Sequence, residues 1–459
     1  MKKIITLIAI QLLLHYAGYS QSTFARQIDV KNDDYGISLC QTRDGGYIIA
    51  GVTNALNHNE DIVLVKTDAF GDTLWTRVYG GDGDGQEDSY CVKETFDNGY
   101  ILTGMTKSFG NALEKGYIIK TNSLGDTIWT KIFENLFNHV IQTADSCYVF
   151  VGGGSPATMM KLDNSGSLLW TRNYSCSKFF MESIEISENQ IVVAGLSSMQ
   201  EVPFSTTIDL LMTDKNGDSL WFKQFGGVHI YDYLSVKQTF DQGFIIATTE
   251  TELYGYPNIY LLKTDLSGNL LWTKTYGGEY TSDRAKSVVQ TIDSGFVVTG
   301  KRTDFGLYLL KTDPLGSLVW EKGYNHDSIL TSGFCVQNTN DNHLIVVGEA
   351  MVMYPPAPKD ILLIKTDSEG LITNLENQGN ILKKESFVFP NPNNGNFSVF
   401  LSGGDNLIKI YDLDGKVVFE KQLDVKNDQV YRIEDFQRGC FVISIKTANG
   451  LKSEKTVVN

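Results

Sequence analysis

Residues with the chemistry to act are few in this chain, and they are scattered. Outside the first twenty positions the histidines stand singly, at His58, His139, His229, His326 and His343. None has a second histidine four positions on or a companion at metal-ligand spacing, so they read as satisfied or solvated side chains. The cysteines are Cys40, Cys91, Cys147, Cys176, Cys335 and Cys440. No Cys-x-x-Cys pair occurs, which leaves structural zinc and dithiol redox chemistry without their pattern. The even count keeps disulfides open. Cys91 and Cys335, however, fall six residues before a recurring aspartate, where Ser38, Ser235 and Ser287 stand in other copies. That equivalence points to small, buried, free thiols. Gly152-Gly153-Gly154-Ser155-Pro156 lacks the Gly-x-Ser-x-Gly order of a nucleophile elbow. Gly81-Asp82-Gly83-Asp84-Gly85 leads into no helix and so cannot cradle phosphate as a P-loop does. Its acids, with Glu87 and Asp88, could hold Ca²⁺ through hard oxygens. The bidentate glutamate is missing at the required offset, so the segment reads first as a solvated acidic loop, and no other cofactor is expected. Paired carboxylates for glycoside hydrolysis can be assembled from distant positions. No pair is singled out here, and recurring aspartates such as Asp68, Asp265 and Asp313 sit in turns.

The elements that would position these groups are repeats. One theme is a turn followed by an apolar run: Asp44-Gly45-Gly46-Tyr47-Ile48-Ile49, Asp97-Asn98-Gly99-Tyr100-Ile101-Leu102, Asp241-Gln242-Gly243-Phe244-Ile245-Ile246 and Asp293-Ser294-Gly295-Phe296-Val297-Val298. Weaker copies start at Asp145, Glu188 and Asp341, which makes seven. The second theme, Lys66-Thr67-Asp68-Ala69-Phe70-Gly71-Asp72-Thr73-Leu74-Trp75, recurs with its last residue at Trp129, Trp170, Trp221, Trp272 and Trp320. These are all the tryptophans in the chain. A seventh copy, from Lys365 to Gly370, stops without one.

Each theme makes sense as a tight hairpin, with Asp and Gly supplying side-chain hydrogen bonds and positive φ between β-branched or aromatic flanks. Two hairpins give four strands per repeat, at an interval of about 50 residues, with no helical period between them. That pattern predicts an all-β fold, a seven-bladed β-propeller over residues 21–375. The last repeat lacks its tryptophan strand, and residues 22–29 offer a spare with Phe24 at the tryptophan position. This N-terminal strand is expected to complete the last blade and close the ring. The Asp-x-x-Gly-x-x-x-Trp core resembles the docking repeat of quinoprotein-type propellers, in which the indole wedges between adjacent blades. The resemblance implies architecture and no activity, since nothing here matches a quinone pocket.

Composition narrows the function classes. The chain has 459 residues, 42% of them hydrophobic and 20% charged, with a net charge of −15. The apolar share excludes wholesale disorder, and the acidity argues against nucleic acid as a partner. Lys2 and Lys3 precede an apolar run from Ile4 to Leu14, and Ala17-Gly18-Tyr19-Ser20 supplies small residues for cleavage. Residues 1–20 therefore read as a secretory signal peptide rather than a bilayer span, and no later stretch reads as transmembrane.

A polar linker is expected over 376–386. Beyond it come Pro390-Asn391-Pro392 with Gly395, an Asp-x-x-Gly hairpin at Asp412, Gly439-Cys440-Phe441, and Lys455 ahead of two valines. Alternating strands around that hairpin predict a small Ig-like antiparallel β-sandwich over 387–459. The segment resembles the C-terminal sorting domain of type IX secretion system cargo. The resemblance implies the secretion machinery as a partner, with Pro390, Asn391, Pro392, Gly395, Gly439 and Lys455 as the sorting motif. It further implies passage across the outer membrane, removal of the tail, and a propeller left secreted or on the cell surface. Cys440 departs from the pattern inside the Gly-x-aromatic element but keeps its spacing.

If both recurring turns close one face of the disc, the other two loop types share the opposite face, where loops vary in length as binding loops do. Three are apolar or aromatic and contain Phe204, Tyr254 and Tyr256, and Met353 and Tyr354. Aromatic residues on exposed loops suit sugar or protein surfaces. Covering blade edges is the plainer role for them. The sequence thus predicts a secreted or surface-displayed propeller serving as a binding or scaffold module for a glycan or surface protein. Two alternatives stand beside it: an enzyme acting on extracellular polysaccharide, and a purely structural surface protein.

Overall fold

A computed structural model describes residues 23–31, 33–56, 59–81, 85–109, 113–198, 206–251, 255–278, 280–324, 329–352, 359–372, 388–389, 397–401, 404–412, 415–425, 429–434, 436–447 and 450–458. The expected leader and linker lie outside them. All the regular elements described are β-strands. Seven antiparallel blades of four strands follow one another, the first being Asp34–Gln41, Tyr47–Leu56, Asn59–Thr67 and Thr73–Tyr79. The long strand Ser219–Gln238 serves two blades. Its first half is the outer strand of the fourth blade and its second half the inner strand of the fifth. Each blade's inner strand touches the next, and the last, Ile329–Asn338, touches Asp34–Gln41. The ring is closed, and the fold is a β-propeller.

Burial explains the strand sequences. Middle strands such as Tyr100–Thr106 are packed on both faces by neighbouring blades and are buried at every position. Outer strands such as Thr127–Phe133 lie largely in solvent. Closure uses the N-terminus: Phe24–Ile28 pairs with Lys359–Thr366, from Phe24 opposite Lys365 to Ile28 opposite Ile361.

The aromatic residue of each outer strand covers a glycine in the next blade's outer turn. A Cβ on Gly125 would stand 2.8 Å from the Trp75 ring, and Gly166, Gly217, Gly268, Gly316 and Gly370 face Trp129, Trp170, Trp221, Trp272 and Trp320 in the same way. Phe24 is the seventh, against Gly71. The flanking arginines repeat too, Arg26 with Asp72 at 3.0 Å and Arg77 with Asp126 at 3.7 Å. The tryptophans are partly rather than wholly buried. Truncating one therefore costs less than the roughly 3–5 kcal/mol typical of a core tryptophan.

The inner hairpins differ from the expectation in one respect. Positive φ falls on the residue between Asp and Gly, as at Asn98 (62°), Gln242 (69°) and Ser294 (65°). The glycine is needed for room: a Cβ on Gly99 would lie 2.1 Å from the Thr121 carbonyl oxygen and 2.6 Å from Lys120 Nζ. That lysine belongs to a set. Lys66, Lys120, Lys161, Lys263, Lys311 and Lys365 are buried and pair with Asp44, Asp97, Asp145, Asp241, Asp293 and Asp341 at 2.6–2.9 Å. Each pair ties an inner hairpin to an outer turn, so both turn types occupy one face. The fourth blade has Met212 in place of the lysine and a Glu188-Asn189 turn in place of the aspartate.

The tail holds a three-stranded sheet (Val388–Phe389, Phe397–Leu401, Gln429–Ile433) and a four-stranded one (Gly404–Tyr411, Val417–Val425, Gly439–Thr447, Gly450–Val458). Phe397, Val399 and Ile433 from the first share a core with Ile408, Ile410, Phe441 and Ile443 from the second.

Candidate functional site

The face opposite the turns is where the inner strands begin, and it holds a cavity of about 410 Å³ between the sixth and seventh blades. Arg284 and Lys286 reach it from the inner strand Asp283–Gln290, and Lys301 from Phe296–Arg302. Ser282, Thr303 and Ser332 add hydroxyls, and Phe334 an aromatic wall. Lys286 Nζ stands 3.5 Å from the Tyr233 ring centroid and 5.8 Å from that of Phe334, which fixes its ammonium over two π faces. The carboxylate in the lining, Glu349, is paired to Lys359 at 3.1 Å. In an acidic protein this is a locally cationic hollow, suited to an anion with an apolar ring face.

Tyr256, from a predicted binding loop, is 50% exposed and packs edge-on against Tyr280, itself 73% exposed, with ring centroids 6.3 Å apart. Tyr280 is two residues before Ser282 of the cavity. Phe204, Tyr254, Met353 and Tyr354 lie outside the described residues. The cationic residues were missed at the sequence level. Their signal was there, in the alternating basic residues Arg284 and Lys286 of an acid-rich chain.

Deeper in the ring, Glu182 pairs with Lys237 and accepts from the Val236 amide at 2.8 Å. His139 Nδ1 lies 3.2 Å from Ser183 Oγ. Burial, then the charge of Lys93, push His139 well below its ordinary value and keep it neutral. Burial alone would lift the Glu182 carboxyl, but the charge of Lys237, the hydrogen bond it donates and the neighbouring basic groups together outweigh it and hold the carboxyl at about 2. Its contribution to stability is therefore present above the unfolded value of about 4.3 and lost as pH falls through about 2. Urea midpoints of wild type and Glu182→Gln should stand apart near pH 6 and converge toward pH 2. Curves that stay parallel would remove Glu182 as the source.

The enzyme alternative calls for converging acids. Asp88 is pushed up to about 6, first by burial and then by the charge of Glu60. Of the acidic loop, residues 82–84 lie outside the described residues. Glu87 accepts instead from Thr106 Oγ1 at 2.5 Å. Cys91 is buried, and Cys40, Cys91, Cys147, Cys176 and Cys335 are all free thiols.

In the tail, Gly439 has φ +146° and lies against the Phe441 ring, and the register places Lys455 opposite Val442. Pro390, Asn391, Pro392 and Gly395 are outside the described residues.

No curated protein matches the chain. Among solved structures it is similar to a protein of unknown function from Dyadobacter fermentans (14% identity, 76% of this chain and 98% of that one, TM-score 0.46). It is also similar to the WD40 β-propeller domain of Doa1 (15%, 76% and 97%, TM-score 0.46) and to YCF48 from Cyanidioschyzon merolae (9%, 74% and 98%, TM-score 0.46). Residues 387–459 match the secretion system C-terminal sorting domain family. The chain thus ends in a secretion system C-terminal sorting domain, a tail that implies export by the type IX system to the cell surface or beyond.

Proposed function

We propose that this protein is an exported binding module whose propeller captures an acidic polysaccharide in the cavity between the sixth and seventh blades. The observation that carries the reading is the convergence of Arg284, Lys286 and Lys301 with three hydroxyls and Phe334 in one hollow. Guanidinium and ammonium groups pair with a sugar carboxylate or sulfate, hydroxyls serve ring oxygens, and an aromatic wall stacks on the apolar sugar face. The neighbouring Tyr256–Tyr280 pair extends that surface for a longer chain. In this reading residues 1–20 are removed on export, 21–375 form the working ring, and 376–386 are a linker. Residues 387–459 then fold as an Ig-like sandwich that is cleaved after delivery. The scaffold half of the reading draws on the turn face, where Phe96, Phe240, Ile292 and Leu315 are all more than half exposed.

Binding to a polyuronate and to a neutral glucan, measured on the chain without its leader, tests the site. The polyuronate should bind and weaken with salt. Arg284→Ala and Lys286→Ala should each reduce affinity about tenfold, the loss of one charge-assisted hydrogen bond. Equal binding of the neutral glucan, or indifference to both substitutions, would overturn the assignment. Routing is read separately, by mass spectrometry of the C-terminus in cells and medium. A species ending near residue 386 outside the outer membrane is expected, and full-length protein held in the periplasm would contradict it.

A further inference from the structure

Three carboxylates meet where the ring is closed. Asp29 follows the N-terminal strand, Asp34 opens the inner strand of the first blade, and Asp360 lies in the third strand of the last. One oxygen from each lies within 4.8 Å of the others. Asp34 and Asp360 are buried. Asp34 Oδ2 accepts from the amides of Val30 and Lys31 at 2.7 and 2.9 Å. Its Oδ1 is sealed from solvent and has no hydrogen-bond partner. A buried carboxylate oxygen left so is costly, and three acids this close repel one another unless a proton or a cation lies among them.

The sixth blade shows how the repeat balances such a group within the protein. Asp283 occupies the position of Asp34, and its strand-register partner Arg302 stands 3.2 Å away. It also accepts from Gly278 N and Thr281 Oγ1. Opposite Asp34 the register partner is Thr53, which brings no charge. Glu87 of the second blade has a threonine there too, Thr106, but no cluster of three acids forms around it among the described residues. Among the described residues the closing seam combines three carboxylates, a buried oxygen without a partner, and a neutral residue where the sixth blade supplies arginine.

We infer that Asp29, Asp34 and Asp360 form a divalent cation site, of the hard, all-oxygen kind that takes Ca²⁺, which fastens the N-terminal strand across the ring seam. The donor set has no nitrogen or sulfur, which disfavours zinc and copper. Each carboxylate comes from a different part of the closure, so a shared ion links the closing strand to both blades it joins. None of the three acids belongs to the segment 81–88 or lines the cationic cavity.

The test uses the full chain without its leader, stripped with EDTA. Calorimetric titration with CaCl₂ should show saturable binding that Asp34→Asn and Asp360→Asn each weaken at least tenfold. Two millimolar CaCl₂ should raise the melting temperature by about 3 °C beyond NaCl of equal ionic strength. Hydrogen exchange on the wild type should show Ca²⁺ slowing the amides of Phe24–Ile28 more than those of other outer strands, a readout that stands even if the variants fail to fold. Absence of binding heat and of a melting shift would overturn the proposal. So would Ca²⁺ binding that persists in folded Asp34→Asn, or protection placed elsewhere in the ring.

Discussion

A chain lacking residues 21–29 should melt far below the intact protein and aggregate on heating. The missing segment is the outer strand of the last blade, and its five residues complete the ladder on Lys359–Thr366. Phe24 and Ile28 are buried in the core shared with Ile361 and Leu363. Each contributes about 2–3 kcal/mol of burial. Together they amount to about 5 kcal/mol, comparable with the whole stability of many domains. The Arg26–Asp72 pair goes as well, and the exposed edge of Lys359–Thr366 becomes a template for intermolecular pairing. Melting followed by calorimetry in EDTA checks this without any contribution from bound cations. A deleted chain that unfolds within about 2 °C of the intact one would show that the ring does not depend on this strand. Phe24→Ala should fall between the two. Phe24→Trp should be tolerated, because six other blades place an indole on the same glycine.

Removing the carboxylate of one turn should cost about 2 kcal/mol and be largely repaired by removing its lysine too. Lys120 is buried and donates to the Thr121 carbonyl at 2.9 Å as well as to Asp97. Asp97→Ala leaves a buried ammonium with one anchor fewer. Its cost is below that of a fully buried pair because Asp97 itself is half exposed. The fourth blade shows the alternative, with Met212 where the lysine would be and no aspartate in the facing turn. Lys120→Met with Asp97→Asn removes both charges at once and should lie within about 1 kcal/mol of wild type. Chemical denaturation of the two single variants and the double one gives the coupling. Strictly additive costs would mean that lysine and aspartate act independently and that the recurrence has another cause.

Much of the fold was legible because the repeat is local. Asp-x-x-Gly turns and their tryptophans recur along the chain, and the last repeat is one outer strand short, which Phe24–Ile28 supplies. The glycines of the inner hairpins were legible as glycines but not for their reason. Positive φ sits one residue earlier, and the small side chain serves a lysine that approaches from another hairpin. That lysine is present in every copy but one, yet its partner precedes it by a varying number of residues, so the sequence offers no fixed spacing to read.

The candidate site was far less legible. Aromatic loops could be picked out by composition, and Tyr256 stands exposed beside Tyr280, but Phe204, Tyr254, Met353 and Tyr354 lie outside the described residues. Arg284, Lys286, Lys301 and Phe334 come from two blades and three strands, and Asp29, Asp34 and Asp360 from the two ends of the ring. The sequence by itself determined the repeat, the turn chemistry, the spare strand and the sorting tail, because each is written within about ten consecutive residues whose hydrogen bonds are local. Tertiary structure alone decided which charges face one another. Closing a ring brings together residues more than three hundred positions apart, and electrostatic partnership depends on distance in space rather than along the chain.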